Sequence, residues 1–535
     1  MGDHTRRSLL RSTAIAAAAG VAVHQGLAAS PASGAPGPAW PPPLGPIRVT
    51  PDDPRYQDLV QRRYNLRFQG TPEQVRVVGT TDHVVRAVQE AVRAGKRVAV
   101  RSGGHCFENF VDDPAVRVVI DMSGMTGVYF DPRHNAFAVE AGATLGEAYR
   151  RLFLGWGVTI PGGYCPEVGA GGHVQGGGYG PLCRLLGLVV DYLYGVEVVV
   201  VDRDGTARSV VATREPSDPN RELWWAHTGG GGGNFGVVTR YWFRTPGARG
   251  ADPTRLLPQP PASVLTFEME WSWEGLGPDA FARLVGNHGR WFERHSGPGT
   301  PYAGLYSELL LFRRQSGRLM MLGQVAGANA ERLLDEHVAA LSAGFAPPSA
   351  RTQQRLPWLA SALRGPGEDP GRWRLKTKAG YLRRRLTDRQ VEVVHRHLTR
   401  DDYDIVGGTL SLNSYGGQVN AVAPEATAAA QRDSILKLFY LVAWADPKDE
   451  ARHLRWIREF YRDMYADTGG VPVPGPVNDG SFVNYPDTDL ADPGWNTSGV
   501  PWHALYYKGN YPRLRRVKAR WDPRGVFHHT LSVRP

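Results

Sequence analysis

Glycine falls at close to every second position in PGGYCPEVGAGGHVQGGGYG (161–180), and two further glycine-dense segments lie on either side, VRSGGHCFENF (100–110) and ELWWAHTGGGGGNFGVV (222–238). Backbone without side chains can approach a bulky or anionic ligand closely enough for its amide N–H groups to meet it. Runs this dense imply backbone lying against something large. None follows the spacing of a dinucleotide-binding turn with its following acidic residue, and none carries the lysine of a P-loop. A ligand site built on backbone is expected, outside the two commonest nucleotide motifs.

The segment QVRVVGTTDHVVRAVQEAVRAGKRVAVRSGGH reads as strand, helix, strand. Residues 75–78 form the first strand, Asp82 stands at a cap position, Val84, Val85, Val88, Ala91 and Val92 share one helical face, and Gly95 is a stop. Strands follow at VRVVIDM, FAVEAGA and GVEVVVVDRDG, with a helix at LGEAYRRLFLGWG, so residues 47–245 are expected to form an α+β domain. Between 246 and 475, SVLTFEMEWSW, SELLLFRR, RLMMLGQVAG and GGTLSLNSYGG alternate as strands do, whereas AERLLDEHVAAL and DEARHLRWIREFYRDMYA have helical spacing. An antiparallel sheet backed by helices is expected there. Residues 476–535 return to aromatic and basic turns.

A net charge of +10 over 535 residues is a mild excess. The densest basic runs, YLRRRL and RLRRVKARW, read as solvated surface, and no segment approaches the roughly 18 apolar residues of a membrane span. Neither nucleic acid nor membrane is an expected partner. Cys106, Cys165 and Cys183 are too few, and odd in number, for a disulfide framework, which leaves at least one thiol free or committed elsewhere. No metal site is assigned. Residues 1–29, with paired arginines before an alanine-rich stretch, resemble a twin-arginine export signal, and 30–46 read as a Pro-rich linker. Export in the folded state is expected, with a cytoplasmic location if the leader is not used.

Taken together, RSGGH at a strand end, GGYCPEVGAGGH, WWAHTGGGGGNFGVV, NYPDTDL and the terminal YYKGNYPRLRRVKARWDPRGVF resemble the berberine-bridge-enzyme-like branch of the vanillyl-alcohol-oxidase type flavoproteins. The resemblance covers essentially the whole chain after the linker. It implies a two-part FAD-binding domain plus a substrate domain, and FAD held by two covalent bonds, from His105 to the 8α-methyl and from Cys165 to C6 of the flavin. It further implies cofactor contacts from Arg101, Ser102, Gly103, Gly104, Gly169, Gly172, Gly178, Gly236, Val237 and Asn510, with glycine amides meeting the pyrophosphate. His173 matches a histidine near the N1 and C2-carbonyl edge, where negative charge develops as hydride arrives. Val168 matches a position where a small side chain accompanies reaction with dioxygen, and Tyr179 is expected to pack beside the cofactor rather than to catalyse.

An alcohol releases hydride only as its hydroxyl proton leaves, so a base must lie within hydrogen-bond reach. The resemblance puts Tyr485, in NYPDTDL, in that place. Tyr381, in KTKAGYLRRR, is a second candidate, with Lys376, Lys378 and Arg383 as groups able to stabilise its phenolate. A free tyrosine, with a pKa of about 10, needs such help at neutral pH. Phe107, preceded by Cys106, stands where alkaloid-cyclising relatives carry tyrosine, and their catalytic glutamate has no match here, which argues against carbon–carbon bond formation.

The reading is an oxidase, similar to the actinobacterial hexose oxidases of glycopeptide-antibiotic tailoring. It would convert a primary alcohol, C6 of a glycosyl group on a glycopeptide-type natural product, to aldehyde and then carboxylate, with dioxygen going to hydrogen peroxide. Oxidation of another hydroxyl on an oligosaccharide or deoxysugar is one alternative. A flavin-free carbohydrate or antibiotic binding protein on a degenerate scaffold is the other. Among fifteen tryptophans, Trp224, Trp225, Trp271, Trp273, Trp358 and Trp373 offer stacking surface or core.

Overall fold

The computed structural model describes residues 45–365, 373–403 and 407–535. The expected export signal, and all but the last two residues of the linker, lie outside them. Helix Thr81–Arg93 buries Val84, Ala87, Val88 and Ala91 on one face, the 3.6-residue period that the sequence carries. Its cap is Thr80, whose side chain accepts from the His83 N–H; Asp82, expected there, lies inside the first turn, where its charge favours the helix dipole. Gly95 ends the helix at φ +61°, a conformation that costs glycine little.

Strands Gln74–Val77 and Val98–Arg101 flank this helix in sequence and both pair in parallel with Val118–Asp121; Ile47–Val49 adds an antiparallel edge, giving four strands. A second, five-stranded sheet is antiparallel throughout, in the order Val128–Asp131, Ala136–Glu140, Val237–Phe243, Leu193–Val201, Ala207–Thr213. The third has seven antiparallel strands: Ala350–Pro357, Ser263–Ser272, Arg318–Ala326, Leu305–Phe312, Gly408–Ser414, Leu436–Trp444 and, at the edge, Arg374–Leu382. The fold is mixed α+β.

The third sheet has two different faces because side chains alternate along each strand. Gly408 and Tyr440 point to one side, where Trp456 covers Gly408 and the Tyr440 ring packs against Phe460 and Tyr461 of helix Glu450–Met464. The opposite face carries Tyr381, Lys437, Asn413 and Glu308, which stand in register across four strands. Directly paired residues share a face, so these four form one polar row. Among the described residues no helix is long and apolar enough to cross a membrane. Trp224, Trp225, Trp271, Trp273 and Trp358 are buried in the core, and only Trp373 of those named is exposed.

Candidate active site

The loops carrying His105 and Cys165 lie against each other. A Cβ on Gly103 would collide with the Gly169 backbone, and one on Gly169 with Ser102 and Gly103. These two glycines allow the close contact between the two loops. Gly104, at φ +81°, would press a side chain onto the Arg62 carbonyl at 2.7 Å. Gly172 is different: a Cβ there meets nothing within 4 Å, so the start of helix Ala170–Gln175 faces open space.

The His105 ring stacks on Tyr64, with centroids 4.8 Å apart and planes at 21°. Burial pulls its pKa down to about 4, so at neutral pH the imidazole is uncharged and keeps a lone pair for bonding. Cys165 is half-buried, and burial raises its thiol pKa. The Cys165 carbonyl accepts from the Val168 N–H, and the Val168 carbonyl from Leu145, which fixes this turn; the Val168 side chain is partly buried against the core.

His173 is also neutral, its pKa lowered to about 4 by burial and then by nearby Lys437. Its Nε2 accepts from the Gly163 N–H at 3.2 Å, which assigns the proton to Nδ1. Gly178, at φ +64°, packs on the His173 ring. A neutral imidazole can offer developing negative charge a dipole, but no full positive charge.

Above these loops stands the polar row of the third sheet. The Tyr485 hydroxyl lies 2.9 Å from that of Tyr179, and Asn413 Nδ2 donates to Tyr179 at 3.3 Å. With Asn413 donating, the Tyr179 proton is free to point at Tyr485, which leaves the Tyr485 oxygen as acceptor. The Lys437 Nζ sits 2.8 Å from the Tyr179 ring centroid and 4.3 Å from that of Tyr485. Lys437 is fully buried and makes no hydrogen bond among the described residues. Burial pushes the Tyr179 and Tyr485 pKa values up and that of Lys437 well down. Each charge alone is costly there; a phenolate and an ammonium formed together offset one another. Phe107 and Phe439 wall Tyr485 at 5.5 and 4.6 Å. Tyr179, expected only to pack, is thus the hydrogen-bond partner of the candidate base. Further along the row Glu308 accepts from Tyr306 at 2.6 Å, and burial raises its pKa.

Tyr381 does not reach Tyr485. Phe482 stands between them, with centroids 6.1 Å from Tyr381 and 5.1 Å from Tyr485. Tyr381 instead packs on Tyr415 and lines a small pocket with Gly176, Gly229, Ala429 and Phe482. Burial raises its pKa strongly. The expected phenolate helpers are elsewhere: alternation along the strand sends Lys376 and Lys378 to the opposite face, and Arg383 pairs with Asp433 at 2.7 Å and Asp479 at 2.6 Å.

The other expected contacts are occupied within the protein. Arg101 pairs with Asp121 at 2.8 Å, and Ser102 Oγ donates to the Ala141 carbonyl at 2.6 Å. A Cβ on Gly236, at φ +154°, would meet the Val199 carbonyl at 2.5 Å, and Gly236 leads into the strand that Val237 starts, while Asn510 Nδ2 donates to the carbonyls of Pro424 and Thr427 at 2.8 and 3.1 Å. Lys437, Asn413 and Glu308 were not singled out from the sequence. The one available signal was a lysine inside the apolar run LKLFYLVAW, where a charge has no water to face. A neutral imidazole and a thiol on abutting loops, open space at Gly172, and a buried lysine against two phenols form a set of groups that fits a flavin.

Comparison with known proteins finds FAD-binding relatives. The FAD binding domain model matches residues 72–210, and the berberine and berberine-like model matches residues 481–534. The chain is 57% identical over 491 residues to aclacinomycin-N/aclacinomycin-A oxidase of Streptomyces galilaeus, covering 91% of this chain and 90% of that protein. It is 33% identical to hexose oxidase of Chondrus crispus, covering 90% and 94%. Among solved structures, glycopeptide hexose oxidase DBV29 complexed with teicoplanin superposes with a TM-score of 0.89 at 57% identity, over 92% of this chain and 100% of that one.

Proposed function

Because the chain belongs to the berberine-bridge-enzyme-like FAD-linked oxidoreductases, we propose that it is an oxidase of a glycosyl primary alcohol, with FAD bound covalently through His105 and Cys165. The substrate is C6 of a sugar on a glycopeptide-type natural product, taken to the aldehyde and, through its hydrate, to the carboxylate. Each two-electron step removes one hydride and one proton and yields one hydrogen peroxide from dioxygen.

The observation that carries this reading is the Tyr485–Tyr179–Lys437 cluster. Tyr485 accepts the hydroxyl proton, Tyr179 donates a hydrogen bond to its oxygen, and Lys437, protonated together with it, offsets the phenolate charge. Phe107 and Phe439 keep water off the phenol. Bound FAD supplies hydride acceptance and passes the electrons to dioxygen. His105 and Cys165 would hold it, His173 would offer an N–H dipole to negative charge developing on it, and the open side of Gly172 would leave its backbone accessible.

A second reading, oxidation of a hydroxyl on another glycosylated natural product, is supported by the equal 57% identity to aclacinomycin-N/aclacinomycin-A oxidase. The test offers the purified protein teicoplanin, aclacinomycin N and cellobiose, following peroxide and product mass. A gain of about 14 mass units on the acylated aminoglucose of teicoplanin, the alcohol-to-acid change, supports the first reading. Peroxide only with aclacinomycin N selects the second, and a colourless protein silent on all three rejects both.

A further inference from the structure

The two loops that carry His105 and Tyr485 run on past the site and meet again behind the third sheet. Glu108, three residues after His105, and Asp487, two after Tyr485, both bind the Nζ of Lys376, at 2.5 and 2.8 Å. Lys376 lies on the edge strand Arg374–Leu382, on the helix-covered face opposite Tyr381. Each loop therefore reaches round the sheet edge to the same ammonium.

The bridge belongs to a larger cluster. Lys378 binds Asp487 at 2.7 Å and Asp489 at 2.8 Å, and Arg458 of helix Glu450–Met464 donates to both oxygens of Asp489, at 2.8 and 3.0 Å. Three carboxylates face three cations, and all but Arg458 are buried, with side-chain exposures of 4% or less. Asp487 also accepts from the Asp489 N–H, capping the short turn Thr488–Ala491 that follows the base. Taking charges out of water is expensive, and well-packed apolar residues often stabilise a fold as well or better, so stability is a poor account of such a cluster. Fixed geometry is a better one, because a hydrogen-bonded network of buried ions has one low-energy arrangement.

We propose that the Glu108–Lys376–Asp487 bridge is a positioning device that sets the Tyr485 hydroxyl against the loop carrying His105. Lys376 faces away from the site and acts on the reaction only through the residues it holds. A hydroxyl proton is taken efficiently only from within about 3 Å, and misplacement by about 1 Å costs on the order of a hundredfold in rate. The inference rests on the reading of Tyr485 as base and His105 as tether.

The test is the charge-balanced variant Glu108→Leu/Lys376→Met, which leaves Asp487 and Asp489 matched by Lys378 and Arg458. Anaerobic stopped-flow gives the rate constant of flavin reduction and the substrate dissociation constant separately, and peptide mass spectrometry gives the fraction of flavin linked at His105. The expected result is a rate constant at least about tenfold lower, a dissociation constant changed by less than about threefold, and a reduced His105-linked fraction with the Cys165 link kept. Reduction at the wild-type rate, or equal losses in rate and binding, overturns the inference. Should the double variant not fold, Lys376→Arg keeps the charge but lengthens the reach; the same split is expected and a wild-type rate again overturns it. Wild-type protein lacking covalent flavin, or inert toward every alcohol, refutes the proposed function instead.

Discussion

The Lys437 Nζ stands 2.8 Å from the centroid of the Tyr179 ring, over its face and without a hydrogen-bond partner among the described residues. A lysine held dry against a phenol takes up a proton at little cost only as that phenol system gives one up, so the ammonium formed favours the phenolate, and Tyr179 links it to Tyr485 through a 2.9 Å hydrogen bond.

Removing that cation should therefore raise the pKa of the base. The base works deprotonated, so activity rises as pH rises through its pKa, and a higher pKa moves this acidic limb upward. Lys437→Met is expected to shift the limb of kcat/KM upward by about one unit or more and, on that limb, to lower activity by about tenfold or more. Steady-state peroxide release from pH 5 to 10 checks it; an unmoved limb would show that Lys437 does not act on the base.

Tyr485 and Tyr381 should separate cleanly. Tyr485→Phe removes the hydroxyl and leaves the packing on Phe439, so kcat/KM should fall by about 10²- to 10⁴-fold with flavin content unchanged. Tyr381, behind Phe482, lacks reach to the same proton, and Tyr381→Phe should cost less than about tenfold in the first two-electron step. Single-turnover flavin reduction measures both; the reverse order would transfer the role of base to Tyr381.

Local features of the fold were legible because they are set by near neighbours. The helical period from Val84 to Ala91 and the left-handed Gly95 are fixed within a few residues, and both appear as read. The error over Asp82 was also local: Thr80 and Asp82 are both good caps, and the first extended residue wins. The sheet row was not legible. Glu308 meets Asn413, and Asn413 meets Lys437, through pairing of strands far apart in sequence, and strand period alone does not say which partner lies opposite. Lys376 and Lys378 were misassigned for a different reason: nearness to Tyr381 in sequence outweighed their odd spacing from it, which along one strand puts them on the other face. Gly103 and Gly169 show a third limit, since a glycine needed by another glycine looks the same as one needed by a ligand.

Two tethers on abutting loops predict a graded loss of cofactor. His105→Ala and Cys165→Ala should each keep yellow colour after acid denaturation, through the remaining bond. The double variant should release all flavin into the acid supernatant. Absorbance of the precipitate and mass spectrometry of the flavinylated peptides check this; colour lost completely from either single variant would limit the covalent attachment to one residue.

Buried neutral histidines make the fold acid-sensitive away from the flavin. His227 and His288 are buried, and burial lowers their pKa values to about 4 and about 3, from 6.5. The unfolded chain thus takes up protons below about pH 6.5 that the native state refuses until about pH 4 or lower. When the unfolded state binds more protons, stability rises with pH, so here it is lost as pH falls through this window. Each histidine contributes a slope on the order of 1.4 kcal/mol per pH unit between these limits. Among the described residues neither ring nitrogen of His288 makes a hydrogen bond of good geometry, the Leu412 backbone being a polar neighbour, so the apolar His288→Phe exchange breaks no well-formed hydrogen bond. Urea unfolding of wild type at pH 7, 6 and 5 should give steadily lower midpoints, and His288→Phe should flatten that dependence by about one proton. An unchanged pH dependence in the variant would mean that His288 is already protonated, or already exposed, in the native protein.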